Sequence, residues 1–116
     1  MAKTKISKGN SRCRATWLPS AALEDFIAAL PAHVIVVVDE AYFEYVDEPD
    51  YPNAMQWVSE FPNLLVTRTF SKTWSMAAAR LGYLVGPRWL VSELDKVVLP
   101  YHLDAVKQIA GRLALR

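Results

Sequence analysis

The chain has 116 residues, of which 53% are hydrophobic and 22% charged. That length sets a single domain with a modest core as the expectation, and the balance excludes an intrinsically disordered chain. The net charge of +1 conceals an asymmetry: residues 1–14 carry Lys3, Lys5, Lys8, Arg12 and Arg14 and no acid, leaving eight basic against twelve acidic groups in the other 102 residues. No apolar run approaches the roughly 20 residues needed to span a bilayer, and the basic N-terminus lacks an apolar signal core. Cys13 is the sole cysteine, which excludes an internal disulfide framework and sets a reducing cytoplasm as the expected location.

Residues 1–17 read as a basic tail and residues 18–116 as the ordered unit. No aromatic residue interleaves the charges before Trp17, so a solvated tail is favoured over a nucleic-acid contact. Leu18-Pro19-Ser20 starts a helix, with Ser20 as N-cap and Glu24 and Asp25 in the first turn. Leu23, Phe26, Ile27 and Leu30 recur at helical spacing before Pro31 ends it. Val34 to Val38 is a run of five β-branched residues without alternation. It predicts a strand buried on both faces, as in a parallel sheet.

Residues 43–52 read as an exposed acidic loop. Asn53 is placed to cap a short helix reaching Glu60, and Leu64 to Thr67 or Thr69 forms a second strand. Leu81 to Val85 is a third. A helix from Pro87 to about Val98 would turn Leu90, Leu94, Val97 and Val98 inward, and one from Leu103 to Leu115 would turn in Val106, Ile109, Ala110 and Leu113. The order points to the α/β class, three core strands with flanking helices. Three strands with so few helices leave apolar faces and edges that favour association.

The chemistry concentrates between the second and third strands. Lys72 stands among Thr69, Ser71, Thr73 and Trp74, and Arg80 follows eight positions later. An amine held among hydroxyl donors, with a guanidinium fork nearby, is what imine formation with a phosphorylated cofactor requires. Taken singly, Lys72 reads equally as a solvated lysine, Arg80 as an ion-pair partner, and Thr69 and Ser71 as turn residues satisfying backbone. Asp39 ends the first strand, where open α/β sheets bind ligands. It could hold a cationic ring nitrogen or cap nearby backbone. Tyr42 could offer its hydroxyl to a cofactor oxygen or simply pack.

Val36-Val37-Val38-Asp39-Glu40-Ala41-Tyr42, together with Ser71-Lys72 and Arg80-Leu81-Gly82-Tyr83, resembles the fold-type-I pyridoxal-phosphate aminotransferases. Leu99-Pro100-Tyr101-His102-Leu103 and Leu23-Glu24-Asp25-Phe26 are similar to the histidinol-phosphate branch in particular. Phenylalanine aminotransferases and threonine-phosphate decarboxylases share much of the pattern. The resemblance covers about residues 18–116 and implies the central part of that family's large domain. It implies pyridoxal 5'-phosphate as cofactor, amino-acid and keto-acid substrates, a homodimer in the full-length family, and no nucleic-acid or membrane partner. It assigns Lys72 as the residue that bonds the cofactor and moves the proton. Asp39 would pair with the pyridine nitrogen and Tyr42 with the ring hydroxyl, and Thr69, Ser71 and Arg80 would hold the phosphate.

The sequence departs from the family at Thr73, where alanine is usual, and at Ser75 and Ala78, where glycines are common. Upstream, Arg12, Cys13, Arg14 and Ala15 stand where the family carries Asn-Pro-Thr-Gly. The abrupt change near residue 15 reads as a truncated or frame-shifted transaminase sequence. Two functional expectations follow: transamination, or a non-catalytic remnant or interaction module that keeps the sheet.

Overall fold

The computed structural model describes residues 17–116, so the tail expected over 1–17 lies, Trp17 apart, outside the described residues. The elements are α1 (Ser20–Ala29), β1 (Val36–Asp39), β2 (Leu64–Thr69), β3 (Gly82–Val85), α2 (Arg88–Asp95) and α3 (Ala105–Ala114). Short 3-10 turns lie at Phe43–Tyr45, Ala54–Trp57 and Ala77–Ala79. The strands form one mixed sheet in the order β1-β2-β3. β1 runs parallel to β2, with Val36 opposite Leu64 and Asp39 opposite Thr67. β3 runs antiparallel to β2, with Thr69 opposite Gly82 and Val66 opposite Val85. At Gly82 a Cβ would sit 2.9 Å from the Arg68 carbonyl oxygen, so β3 approaches β2 this closely only because the residue is glycine.

The main core cluster lies on one face of the sheet, and Leu65 is buried on the other. Ile27 of α1 and Ala54 and Trp57 of the 3-10 turn pack with Leu64 and Val66, and Val36, Val38 and Leu23 close around them. Each fully buried aliphatic side chain here contributes about 1.5–3 kcal/mol relative to exposure. The expectation that the Val34–Val38 run is buried on both faces is not met. Burial alternates along β1, and Ile35 and Val37 remain 49% and 58% exposed. The cover from α1 and the Ala54–Trp57 turn reaches only the Val36 and Val38 side.

Several local expectations shift for identifiable reasons. Ser20 is the first helical residue, not the cap; Pro19 takes the N-cap position, no side chain caps the helix, and Glu24 and Asp25 fall beyond the first turn. Asn53 stands before a 3-10 turn instead of a longer helix. Its side-chain oxygen accepts from Arg68 Nη2 at 3.0 Å instead of capping. α2 stops at Asp95, which leaves Val97 and Val98 exposed. α3 starts at Ala105 because Asp104 caps it, its Oδ1 accepting the Lys107 N–H at 2.9 Å.

α3 also presents a different side from the one expected. Val106, Ile109 and Leu113 are exposed, while Gly111 is buried. A Cβ at Gly111 would come within 2.8 Å of Leu81 Cδ2 and 3.7 Å of the Phe70 ring. The helix therefore docks through its small residues. Trp74 secures its far end, the indole N–H donating to the Ala114 carbonyl at 3.0 Å. Phe70 packs between Trp74 and Tyr83 in tilted contacts, with ring centroids 5.2 and 5.4 Å away.

Candidate active site

Parallel pairing places the C-terminal ends of β1 and β2 at the same end of the sheet, and antiparallel β3 begins there. All six residues singled out from the sequence belong to this end. Asp39 closes β1 and Tyr42 follows it. Thr69 closes β2, with Ser71 and Lys72 next. Arg80 lies two residues before β3. This is where open α/β sheets bind their ligands.

Asp39 is on the sheet face opposite the core. Its Oδ1 accepts the Ala41 N–H at 3.0 Å and the Thr67 hydroxyl at 3.4 Å. The Thr67 contact crosses from β1 to β2, so the carboxylate is oriented by the strand pair as well as by its own loop. Tyr42 follows with φ −114° and ψ 10°, the bridge conformation common at active sites. The Lys72 amine lies 5.0 Å from the centroid of the Tyr42 ring, a cation–π arrangement. These two chemistry-bearing groups come from separate strand ends and are brought into direct contact.

The remaining three are arranged less simply. The Thr69 hydroxyl accepts the Ser71 N–H at 3.1 Å and donates to the Leu81 carbonyl at 3.4 Å. These bonds close the turn between Thr69 and Leu81. Arg80 adopts the left-handed conformation, φ 50° and ψ 46°, which reverses the chain into β3. Its Nη1 donates to the Ala77 carbonyl at 3.5 Å, folding the guanidinium back on its own turn. Ser75 has φ 55°, a conformation glycine adopts without strain, and it is one of the positions where the resembled family commonly has glycine.

The sequence reading passed over Arg68, Glu44 and the role of Glu40. Glu40 is buried, and its carboxylate accepts Arg68 Nη2 at 2.6 Å, Arg68 Nε at 2.9 Å and the Ala54 N–H at 2.7 Å. The Arg68 guanidinium also lies 4.0 Å over the Phe43 ring. Burial works against the Arg68 charge, but the hydrogen bond and charge of Glu40 outweigh it and raise the guanidinium pKa above its ordinary value. Burial, then the charges of Glu40 and Asp39, raise the Tyr51 hydroxyl pKa. The available signal was Arg68 itself: a charged residue inside a strand, sharing a face with Leu64 and Val66, requires a buried partner.

The family model for aminotransferase class I and II matches residues 14–116. The chain belongs to this family. Among curated relatives, a histidinol-phosphate aminotransferase of Nitrosococcus oceani is 46% identical over 101 residues, covering 87% of this chain and 27% of the relative. One from Methylococcus capsulatus is 46% identical over 100 residues, covering 86% and 27%. The chain thus spans about a quarter of the length of the aminotransferases it matches. A solved structure of the Sinorhizobium meliloti histidinol-phosphate aminotransferase in complex with pyridoxal-5'-phosphate matches with a TM-score of 0.70 and 29% identity, over 79% of this chain and 25% of that one. The mixed three-stranded sheet is thereby part of an aminotransferase large domain.

Proposed function

We propose that this chain carries the cofactor-binding part of a pyridoxal-phosphate aminotransferase site, in an enzyme exchanging an amino group between histidinol phosphate and 2-oxoglutarate in histidine biosynthesis. One observation carries the reading: Lys72 and Tyr42, from two strand ends, meet at 5.0 Å at the sheet end that also bears Asp39 and Arg80. The donor set suits pyridoxal phosphate, whose reactive aldehyde and ring hydroxyl are neighbours on the ring. One amine and one phenol in contact match that neighbouring pair. The bound cofactor supplies an electron sink that stabilises a substrate carbanion.

Each residue then has a defined task. Lys72 supplies the nucleophilic amine and afterwards holds and returns the proton. Tyr42 donates its hydroxyl hydrogen bond to the ring oxygen. Asp39 uses Oδ1 to fix its own orientation and offers Oδ2 to a protonated ring nitrogen. The Thr69 and Ser71 hydroxyls and the Arg80 guanidinium are the donors for the phosphate, Thr69 and Arg80 after release from the Leu81 and Ala77 carbonyls. A homodimer and a cytoplasmic location belong to the same proposal, through the family.

A second reading, a non-catalytic module, is favoured by the exposed apolar face that carries Ile35, Val37 and Leu84. A visible spectrum separates the two. Transamination requires that the protein, mixed with pyridoxal phosphate, develop an absorption band that is lost in Lys72→Ala. Absence of the band in the unaltered chain refutes the cofactor reading. A band without turnover of histidinol phosphate refutes the catalytic one.

A further inference from the structure

Lys72 and Tyr42 are both exposed, so burial does not hold their contact together. A lysine with four rotatable bonds keeps a place over one ring only if the backbones beneath both residues are fixed relative to each other. The structure has such a fixture. The Thr73 hydroxyl, one residue beyond Lys72, donates to Glu44 Oε2 at 3.2 Å, and Glu44 stands two residues beyond Tyr42. The other end of the Tyr42 loop is fixed by Glu40, through Arg68 and the Ala54 N–H. The loop is therefore pinned to β2 at its start and to the lysine turn at its end.

We infer that Thr73 and Glu44 are positioning residues: their hydrogen bond sets the distance between the Lys72 turn and the Tyr42 loop and so holds the amine over the ring. Thr73 is where this sequence departs from the alanine usual in the family it resembles, and an alanine has no hydroxyl to make the bond. The clamp is thus a feature of this chain's own residues. It rests on the proposed function for its catalytic meaning but not for its geometry.

The test uses the full chain without cofactor, with lysine labelled at the ε-carbon. The Lys72 ε-proton resonance is expected upfield of the other lysines because of the Tyr42 ring current, and Tyr42→Leu removes that displacement. Thr73→Val, which keeps the volume and deletes the hydroxyl, should also abolish it; Thr73→Ser should keep it. Glu44→Gln retains an acceptor and should keep the shift, whereas Glu44→Ala should lose it, which covers the case in which Thr73→Val folds poorly. With pyridoxal phosphate added, loss of one such hydrogen bond should weaken cofactor affinity about three- to tenfold in Thr73→Val, with recovery in Thr73→Ser.

An unchanged Lys72 shift in both Thr73→Val and Glu44→Ala overturns the inference, as does a Lys72 signal indifferent to Tyr42→Leu. A lost shift with unchanged affinity overturns the positioning role. A protein that shows the predicted shifts but no visible band upholds the clamp and refutes the cofactor reading instead.

Discussion

The two faces of the sheet are built from alternate residues of the same strands, yet they do different work. One face carries Val36, Val38, Leu64 and Val66 against Ile27 and Trp57 and ends in the Glu40–Arg68 pair. The other carries Ile35, Val37 and Leu84 toward water beside a buried Leu65, and ends in Asp39, Thr67 and Thr69. The larger buried cluster belongs to the first face, and the proposed cofactor contact of Asp39 belongs to the end of the second. A pair like Glu40–Arg68 stays on the closed side because its carboxylate and guanidinium are satisfied within the protein. Asp39 stays on the open side, where its Oδ1 takes the Ala41 N–H and the Thr67 hydroxyl and the proposed function gives Oδ2 to a ligand.

The largest test of this division is Glu40→Ala. It leaves the Arg68 guanidinium and the Ala54 N–H without their partner in a buried setting, which costs roughly 3–5 kcal/mol. Domains of this size have total stabilities of about 5–15 kcal/mol, so urea unfolding should show a large fall in midpoint. A loss below about 1 kcal/mol would mean the pair is ornamental and the closed face owes its stability to apolar packing alone.

Next comes a pair of truncations across the two faces. Leu64→Ala removes a side chain that is 0% exposed, and about 2–5 kcal/mol is expected to go with it. Val37→Ala, one strand over and on the opposite face, should change stability by about 0.5 kcal/mol or less. If the two cost the same, the open face is covered in solution, and the asymmetry drawn here is wrong.

How much of this was legible beforehand depends on the kind of signal. The strands and the Phe70–Tyr83 segment were readable because apolar runs between turn residues have few alternatives. The sheet end bearing Asp39, Tyr42, Lys72 and Arg80 was readable because those residue types flank strands. Which face of β1 is covered was not readable, since five consecutive β-branched residues look the same from both sides. The docking side of α3 was misread for a sharper reason. Val106, Ile109 and Leu113 recur at helical spacing, but so do Lys107, Ala110, Gly111 and Ala114. Phe70, Trp74 and Leu81 already fill the docking surface, so the helix approaches through its small residues. The Glu40–Arg68 and Glu44–Thr73 links join positions 28 and 29 residues apart, and no local pattern reports such pairings.

The smallest effect lies away from both faces, at the start of α3. Asp104 Oδ1 accepts the Lys107 N–H, and Oδ2 lies 3.0 Å from the Lys107 amine. The backbone hydrogen bond first, then the side-chain contact with Lys107, holds the Asp104 pKa below its ordinary value of 3.8. A carboxylate with a depressed folded pKa stabilises above its unfolded pKa and loses that contribution as pH falls through the folded one. The helix start should therefore hold through mildly acidic conditions and loosen only below the ordinary carboxylate range. The Lys107 amide proton reports this directly, because its resonance should titrate with a midpoint below the ordinary aspartate value. Asp104→Asn, which keeps an acceptor but cannot ionise, should abolish that titration. A midpoint at or above the ordinary value would show that the cap is not formed in solution. α3 would then rely on its packing at Gly111 and on the Trp74–Ala114 bond.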